Sequence, residues 1–200
     1  IHNPESLKPT LKIQGKLQEF DLIIGADGGK STIRKYVTDA VPQFAGYTLW
    51  RTLLSTDKIG FPPNGSKTIN GIRYETLGFP FIRANQESLW NCGVYMAIPE
   101  SEVEKPTRNR QVSNQNFKQL PEWFLPFIGH LFDKPTLKFW ETANQYGKVS
   151  PHPVWEFVTD KVVQNRILLL GDAAHMASPR TGAGAYSAMV DAVVLENAFK

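Results

Sequence analysis

One pattern that occurs twice narrows the folds open to this chain more than anything else in it. Asp21-Leu22-Ile23-Ile24-Gly25 and Arg166-Ile167-Leu168-Leu169-Leu170-Gly171 each carry a short apolar run into a glycine. An aspartate follows within two residues, Asp27 in the first unit and Asp172 in the second. Such a run, bounded by turn residues, reads as a strand buried on both faces, the kind that builds a parallel sheet covered by helices. In open α/β sheets ligands sit in the crevice beyond the carboxyl ends of the strands, so both aspartates stand at candidate ligand positions.

The residues around each aspartate add chemistry. Gly25, Gly28 and Gly29 surround Ala26-Asp27, and glycine at that density lets a backbone approach a ligand closely. Ser31 is placed to cap a short helix running through Val37. Arg34, one turn into that helix, can reach back toward a phosphate or fix Asp27, since guanidinium forms paired hydrogen bonds to such oxygens. A tight strand-to-helix turn with a solvated Arg34 explains the same residues. In the second unit Ala173 and Ala174 leave space beside Asp172, and Pro179 stiffens the loop that ends in Gly182-Ala183-Gly184. Ala188, Asp191, Ala192, Leu195 and Phe199 recur at helical spacing, so a helix starts at Gly184, and its free N–H groups and dipole favour a negatively charged ligand edge. Glycines that only let the helix pack closely on the sheet are the alternative.

Between the two units the composition turns aromatic and β-branched. Tyr47 to Leu54, Ile72 to Phe81 and Leu89 to Ile98 read as antiparallel strands, with turn clusters at Pro62-Pro63-Asn64-Gly65 and Asn70-Gly71. Pro99 to Asn114 is expected to be a surface connection. Asn116 to Leu131 has helical spacing interrupted by Pro121 and Pro126, which predicts a broken helix. A further strand is expected at Leu137 to Glu141, and an extended loop from Tyr146 to Trp155, around Pro151 and Pro153. The layout is α/β at the ends (residues 1–40 and 149–200) and mostly antiparallel sheet between them (41–148), α+β overall.

Composition closes off several classes of function. The 200 residues are 42% hydrophobic and 20% charged, with a formal net charge of +3, and the basic residues are scattered, which argues against nucleic acid as a partner. The single cysteine, Cys92, excludes an internal disulfide framework and a cysteine-based zinc site, and no metal is expected. No apolar run approaches the roughly 20 residues of a transmembrane segment, so a soluble protein is expected, and the single cysteine fits a reducing, cytoplasmic compartment. The sequence opens at Ile1 without Met and stops at Lys200 inside a helical pattern, so an internal piece of a longer chain is expected.

DLIIGADGGKSTIR (Asp21 to Arg34) resembles the DG motif of the class A flavoprotein monooxygenases, the family of para-hydroxybenzoate hydroxylase. RILLLGDAAHMASPRTGAG (Arg166 to Gly184) resembles that family's GD motif and the proline-glycine loop after it. The resemblance implies the para-hydroxybenzoate hydroxylase-like FAD-binding fold with an inserted substrate domain. The N-terminal strand, G-x-G-x-x-G turn and helix that hold the ADP half of FAD have no counterpart in this sequence.

The family's site residues carry over one position at a time. Asp172, after Gly171, would bond a ribityl hydroxyl. Asp27, Gly28 and Arg34 would lie near the pyrophosphate, and Pro179 would line the flavin ring. Gly182, Ala183 and Gly184 would face the ring's N1 and C2 carbonyl edge, and His175 would be structural. Tyr47, Trp50 and Arg51 resemble the strand that opens the substrate domain, with aromatic packing as the alternative to substrate contact. His152 reads as an exposed loop histidine. No catalytic residue is assigned.

The implied activity is an FAD-dependent monooxygenase that uses NAD(P)H and O2 to hydroxylate a small aromatic or heteroaromatic substrate through a flavin C4a-hydroperoxide. The 200-residue piece alone is expected to be inactive. A reductase or halogenase of the same fold, and a noncatalytic protein-binding domain, are the rival readings.

Overall fold

The computed structural model describes residues 1–97, 120–146 and 149–200. It divides into two compact units, Ile1–Ala45 with Trp155–Lys200, and Gly46–Val154.

In the first unit, strands β1 (Thr10–Ile13) and β2 (Lys16–Glu19) form a hairpin through Gln14 and Gly15, both at positive φ. The two apolar runs form β3 (Ile23–Gly25) and β10 (Ile167–Leu169). They pair in parallel with Ile23 opposite Ile167 and Gly25 opposite Leu169, and β9 (Val163–Gln164) flanks β10 antiparallel. Ile23, Val37, Ile167, Leu169, Ala173 and Ala174 make a small core. The Ser31 hydroxyl accepts the Arg34 N–H at 2.9 Å, but the turn it caps is one 3₁₀ turn, Arg34–Tyr36, not a helix reaching Val37. Helix α3 (Gly184–Ala198) follows the second motif.

The second unit is an antiparallel sheet. Its hydrogen-bonded order is β8 (Ser150–Val158), β4 (Gln43–Ser55), β7 (Ser88–Ala97), β6 (Ile72–Ile82), β5 (Gly65–Ile69). Asn70 and Gly71, at φ 50° and 77°, turn β5 into β6 as a two-residue hairpin loop with both residues left-handed. Along β4, Trp50, Thr52 and Leu54 are buried while Arg51 and Leu53 are exposed, the alternation of a half-covered strand.

Helices α1 (Phe124–Leu131) and α2 (Lys134–Tyr146) cover the buried face. Phe124, Ile128 and Leu131 on α1, and Thr136, Phe139, Trp140 and Ala143 on α2, recur at three- and four-residue intervals and are all buried. With Trp50, Leu54, Cys92, Val94 and Met96, most of these residues form one continuous core.

Three expectations for this unit are corrected. Residues 137–141 are helical because Asp133 Oδ1 accepts the Thr136 N–H at 2.9 Å, a helix N-cap, and Pro135 sits in the first turn, where no N–H is needed. Pro126 likewise falls in the first turn of α1 and Pro121 lies ahead of it, so the described part of 116–131 holds an unbroken helix. The expected loop from Tyr146 to Trp155 contains most of β8. Pro151 and Pro153 are two apart, so both missing N–H groups fall on one side of that strand and the other side keeps its donors for the ladder. The connection expected at Pro99 to Asn114, and Ile98, lie outside the described residues.

Candidate functional site

The parallel pairing of β3 with β10 puts Gly25 beside Leu169, so the turns bearing Asp27 and Asp172 leave the sheet at the same edge. Arg34 fastens them together. Its Nε donates to the Ala173 carbonyl at 2.9 Å, Nη2 to the Asp172 carbonyl at 2.8 Å and Nη1 to the Gly29 carbonyl at 3.0 Å. The guanidinium lies 4.0 Å from the centroid of the Phe157 ring, and the residue is 7% exposed. Burial pulls its pKa down, and the nearby Asp27 and Asp172 carboxylates oppose that. Arg34 is therefore neither solvated nor bonded to Asp27; it binds one turn to the other.

The Asp27 carboxylate is turned back on its own chain. It accepts from the Ser31 hydroxyl, from the Thr32 N–H at 2.7 Å and hydroxyl at 3.0 Å, and from the Ile33 N–H at 3.3 Å. Desolvation pushes this carboxyl up, but the hydrogen bonds from Ser31, Thr32 and Ile33 outweigh it and hold the pKa below the ordinary aspartate value. Asp27 thus shapes the turn, and Gly28 beside it is at φ +79° with open space where a side chain would point.

At the second turn Gly171 is left-handed, at φ +56°, and its N–H donates to Asp191 Oδ2 at 2.8 Å. The same oxygen lies 2.6 Å from His175 Nε2. Asp191, read from the sequence only as a position on a helix face, ties α3 to this turn. No local signal exposes that role, because its partners are 16 and 20 residues away.

The Asp172 side chain is exposed and lies against the start of α3, where a Cβ placed on Gly184 would be 3.8 Å from Asp172 Oδ1. Pro179 opens a 3₁₀ turn, Pro179–Thr181, whose Arg180 N–H donates to the Ser178 hydroxyl, and left-handed Gly182 closes it. Helix α3 begins after Ala183 with no side-chain cap. The N–H groups of Gly184, Ala185 and Tyr186 precede its first intrahelical bond, from the Ser187 N–H to the Ala183 carbonyl.

In the second unit the three residues of the Tyr47-Trp50-Arg51 group separate. Trp50 is 4% exposed and packs against Phe124 at 5.0 Å between ring centroids, which makes it core and not a substrate contact. Tyr47 meets Tyr95 edge-on at 5.8 Å. Arg51 lines a cleft of about 360 Å³, together with Thr52, Leu53, Arg83, Asn91, Tyr146, Ser150 and His152. His152 is partly buried in β8, not exposed in a loop, and burial and then the Arg51 charge lower its pKa.

Residues 131–199 match a family model described as an FAD binding domain. The 6-hydroxy-3-succinoylpyridine 3-monooxygenase of Pseudomonas putida is 30% identical over 96% of the chain and 44% of its own length. An FAD-dependent urate hydroxylase of Klebsiella oxytoca is 26% identical over 93% and 45%. Among solved structures, 2,6-dihydroxypyridine-3-hydroxylase from Arthrobacter nicotinovorans superposes with a TM-score of 0.69 at 23% identity, over 96% of this chain and 52% of that one.

The chain is similar in sequence to FAD-dependent hydroxylases and monooxygenases. It has their para-hydroxybenzoate hydroxylase-like fold, and it spans about half the length of the curated flavoprotein relatives it matches. A Klebsiella pneumoniae flavoprotein of the same fold, TM-score 0.63, was solved with FAD and uric acid. Among the described residues, no helix is long and apolar enough to cross a membrane.

Proposed function

We propose that this chain supplies the flavin-ring side and the ring-binding sheet of an FAD-dependent monooxygenase, which uses NAD(P)H and O2 to hydroxylate a small aromatic or heteroaromatic compound. The observation that carries this reading is the placement of Asp172 against the uncapped N-terminus of α3, on a turn that Arg34 locks to its neighbour.

The donor set suits FAD. Asp172 offers an acceptor for a ribityl hydroxyl. The N–H groups of Gly184, Ala185 and Tyr186, with the helix dipole behind them, suit a carbonyl edge that gains negative charge on reduction. Pro179 is exposed, free to lie against a ring, and Gly182 keeps the backbone bare beside it. Asp27 and Gly28 shape the first turn for the pyrophosphate side, and Arg34 acts through both turns.

When bound, FAD would accept hydride equivalents from NAD(P)H and activate O2; the protein's share is orientation, electrostatic tuning and exclusion of water. In the second unit, the cleft at Arg51 takes the ring to be hydroxylated. Tyr47 contributes packing to that sheet.

FAD titration of the chain and of a longer polypeptide containing it, followed by flavin fluorescence, tests the cofactor assignment. Asp172→Ala should weaken flavin retention at least tenfold, about 1.4 kcal/mol, while His152→Ala leaves it unchanged. Equal retention by the two variants sinks the assignment. Incorporation of label from ¹⁸O2 into product separates hydroxylation from flavin reduction alone.

A further inference from the structure

A two-residue strand, β11 (His175–Met176), follows the second turn and pairs antiparallel with the end of β8, Met176 opposite Phe157. Successive side chains of a strand point to opposite faces. His175 meets Asp191 of α3 at 2.6 Å, while Met176 meets the first turn, its sulfur lying against the backbone of Gly29. A Cβ on Gly29 would overlap Met176 Sδ and stand 3.6 and 3.8 Å from Met176 Cγ and Cε, so the whole end of the side chain lies on that glycine.

Arg34 reaches the same glycine. Its Nη1 donates to the Gly29 carbonyl at 3.0 Å, Nε and Nη2 hold the carbonyls of Ala173 and Asp172, and the guanidinium stands over the Phe157 ring that Met176 faces across the ladder. A thioether is a weak acceptor and leaves this fork undisturbed. A sulfoxide is polar and brings an oxygen that accepts strongly.

The chain has three methionines. Met96 is 1% exposed, in the core of the second unit, and Met189 is 62% exposed on α3. Met176 is partly buried, and it alone of the three is both open to a small oxidant and packed on a turn that a buried arginine holds.

We propose that Met176 is an oxidation site: hydrogen peroxide converts its thioether to the sulfoxide, and the new oxygen draws Arg34 off Gly29 and loosens the turn that carries Asp27. One peroxide oxygen bonds to Sδ as the O–O bond breaks, and the other leaves as water. The sulfur loses two electrons and the peroxide gains them. The modification needs only dissolved peroxide and stands apart from the flavin reading; its consequence for flavin retention rests on that reading.

The test treats the 200-residue chain with hydrogen peroxide and locates added oxygen by mass spectrometry of peptides. Met189 should be oxidised first, Met176 next and Met96 last. As Met176 gains oxygen, β3 and β10 amides should exchange about tenfold faster while β4 and β7 amides keep their rates. Methionine sulfoxide reductase should restore the protection. Met176→Leu, which keeps the volume and cannot be oxidised, should abolish the peroxide response, and Met189→Leu should retain it. Met176 that stays unmodified until the chain is unfolded, oxidised Met176 with unchanged β3 and β10 exchange, or a Met176→Leu chain that still responds overturns the proposal. In a longer polypeptide that retains FAD, the same treatment should release flavin. Loosened amides with flavin still held would take this turn out of the flavin site and leave the oxidation site standing, so the two readings fail separately.

Discussion

The two compact units solve the same problem, holding polar groups at fixed positions, by different means. The second unit does it with bulk. Trp50, Phe124, Phe139 and Trp140 are all nearly or fully buried in one core with Leu54, Val94 and Met96, and the cleft residues stand on the opposite, alternate positions of β4. The first unit's core cluster has six buried apolar residues, two of them alanines, and no residue of α3 is buried. There the turns are held by hydrogen bonds, from Arg34 to three carbonyls and from Gly171 and His175 to Asp191. A large core tolerates change at its exposed face. A site held by a few charge-assisted bonds does not, because each bond removed leaves a buried carbonyl or guanidinium without its partner.

Substitution in each unit should therefore fail in a different way. The largest effect is expected for Phe124→Ala. Phe124 has no exposed surface and meets both Trp50, at 5.0 Å, and Trp140, at 5.5 Å. Its loss should cost about 3–5 kcal/mol in the second unit, read by denaturant titration of tryptophan fluorescence. Hydrogen exchange of β3 and β10 amides should change little. If those amides exchange faster by the same factor as β4 and β7, the units unfold as one and the contrast fails.

Arg34→Lys should come next, at about 2 kcal/mol, since an ammonium cannot span three carbonyls held in a planar fork. Here the pattern reverses: β3 and β10 amides should lose protection and the tryptophan core should not. Gly171→Ala should follow at about 1–2 kcal/mol, because a Cβ would be held at φ +56° and would stand 3.2 Å from the Ala188 Cβ. The companion change Ala188→Gly should relieve the steric part and leave the backbone part, which a double-mutant cycle separates.

What could be read in the sequence follows the same division. The two apolar runs, the turn at Asn70-Gly71 and the start of α3 at Gly184 are local patterns, and the fold has them where they were expected. The role of Arg34 was not readable, because two of its acceptors lie 138 and 139 residues away. Asp191 was hidden for the same reason. The α2 error is of another kind, since Asp133 and Pro135 do mark a helix start, but the apolar residues after them also fit a short strand. His152 was misplaced because its flanking prolines signal a loop. They are compatible with a strand when both fall on one side of it, and only the sheet shows which side that is.

The smallest expected effect concerns that histidine, and it turns on sign. His152 has a folded pKa below its ordinary value of 6.5, burial being the first cause and Arg51 the second. Below about pH 6.5 the unfolded chain takes up a proton at this position before the folded chain does. The histidine's contribution to stability is thus fully present above the ordinary value and is lost as pH falls toward the folded one. Urea midpoints for the second unit should therefore decline between neutral and mildly acidic pH, and His152→Gln should remove that part of the slope. The change at pH 8 should be slight by comparison. Asp27 must be kept apart from this, since its pKa is also lowered, but from 3.8, so its loss of stability belongs to more acid solution. A His152→Gln variant with the same pH slope as the parent would show that the imidazole is solvated in the folded chain, and that the sheet face carrying the cleft is looser than the packing beneath it implies.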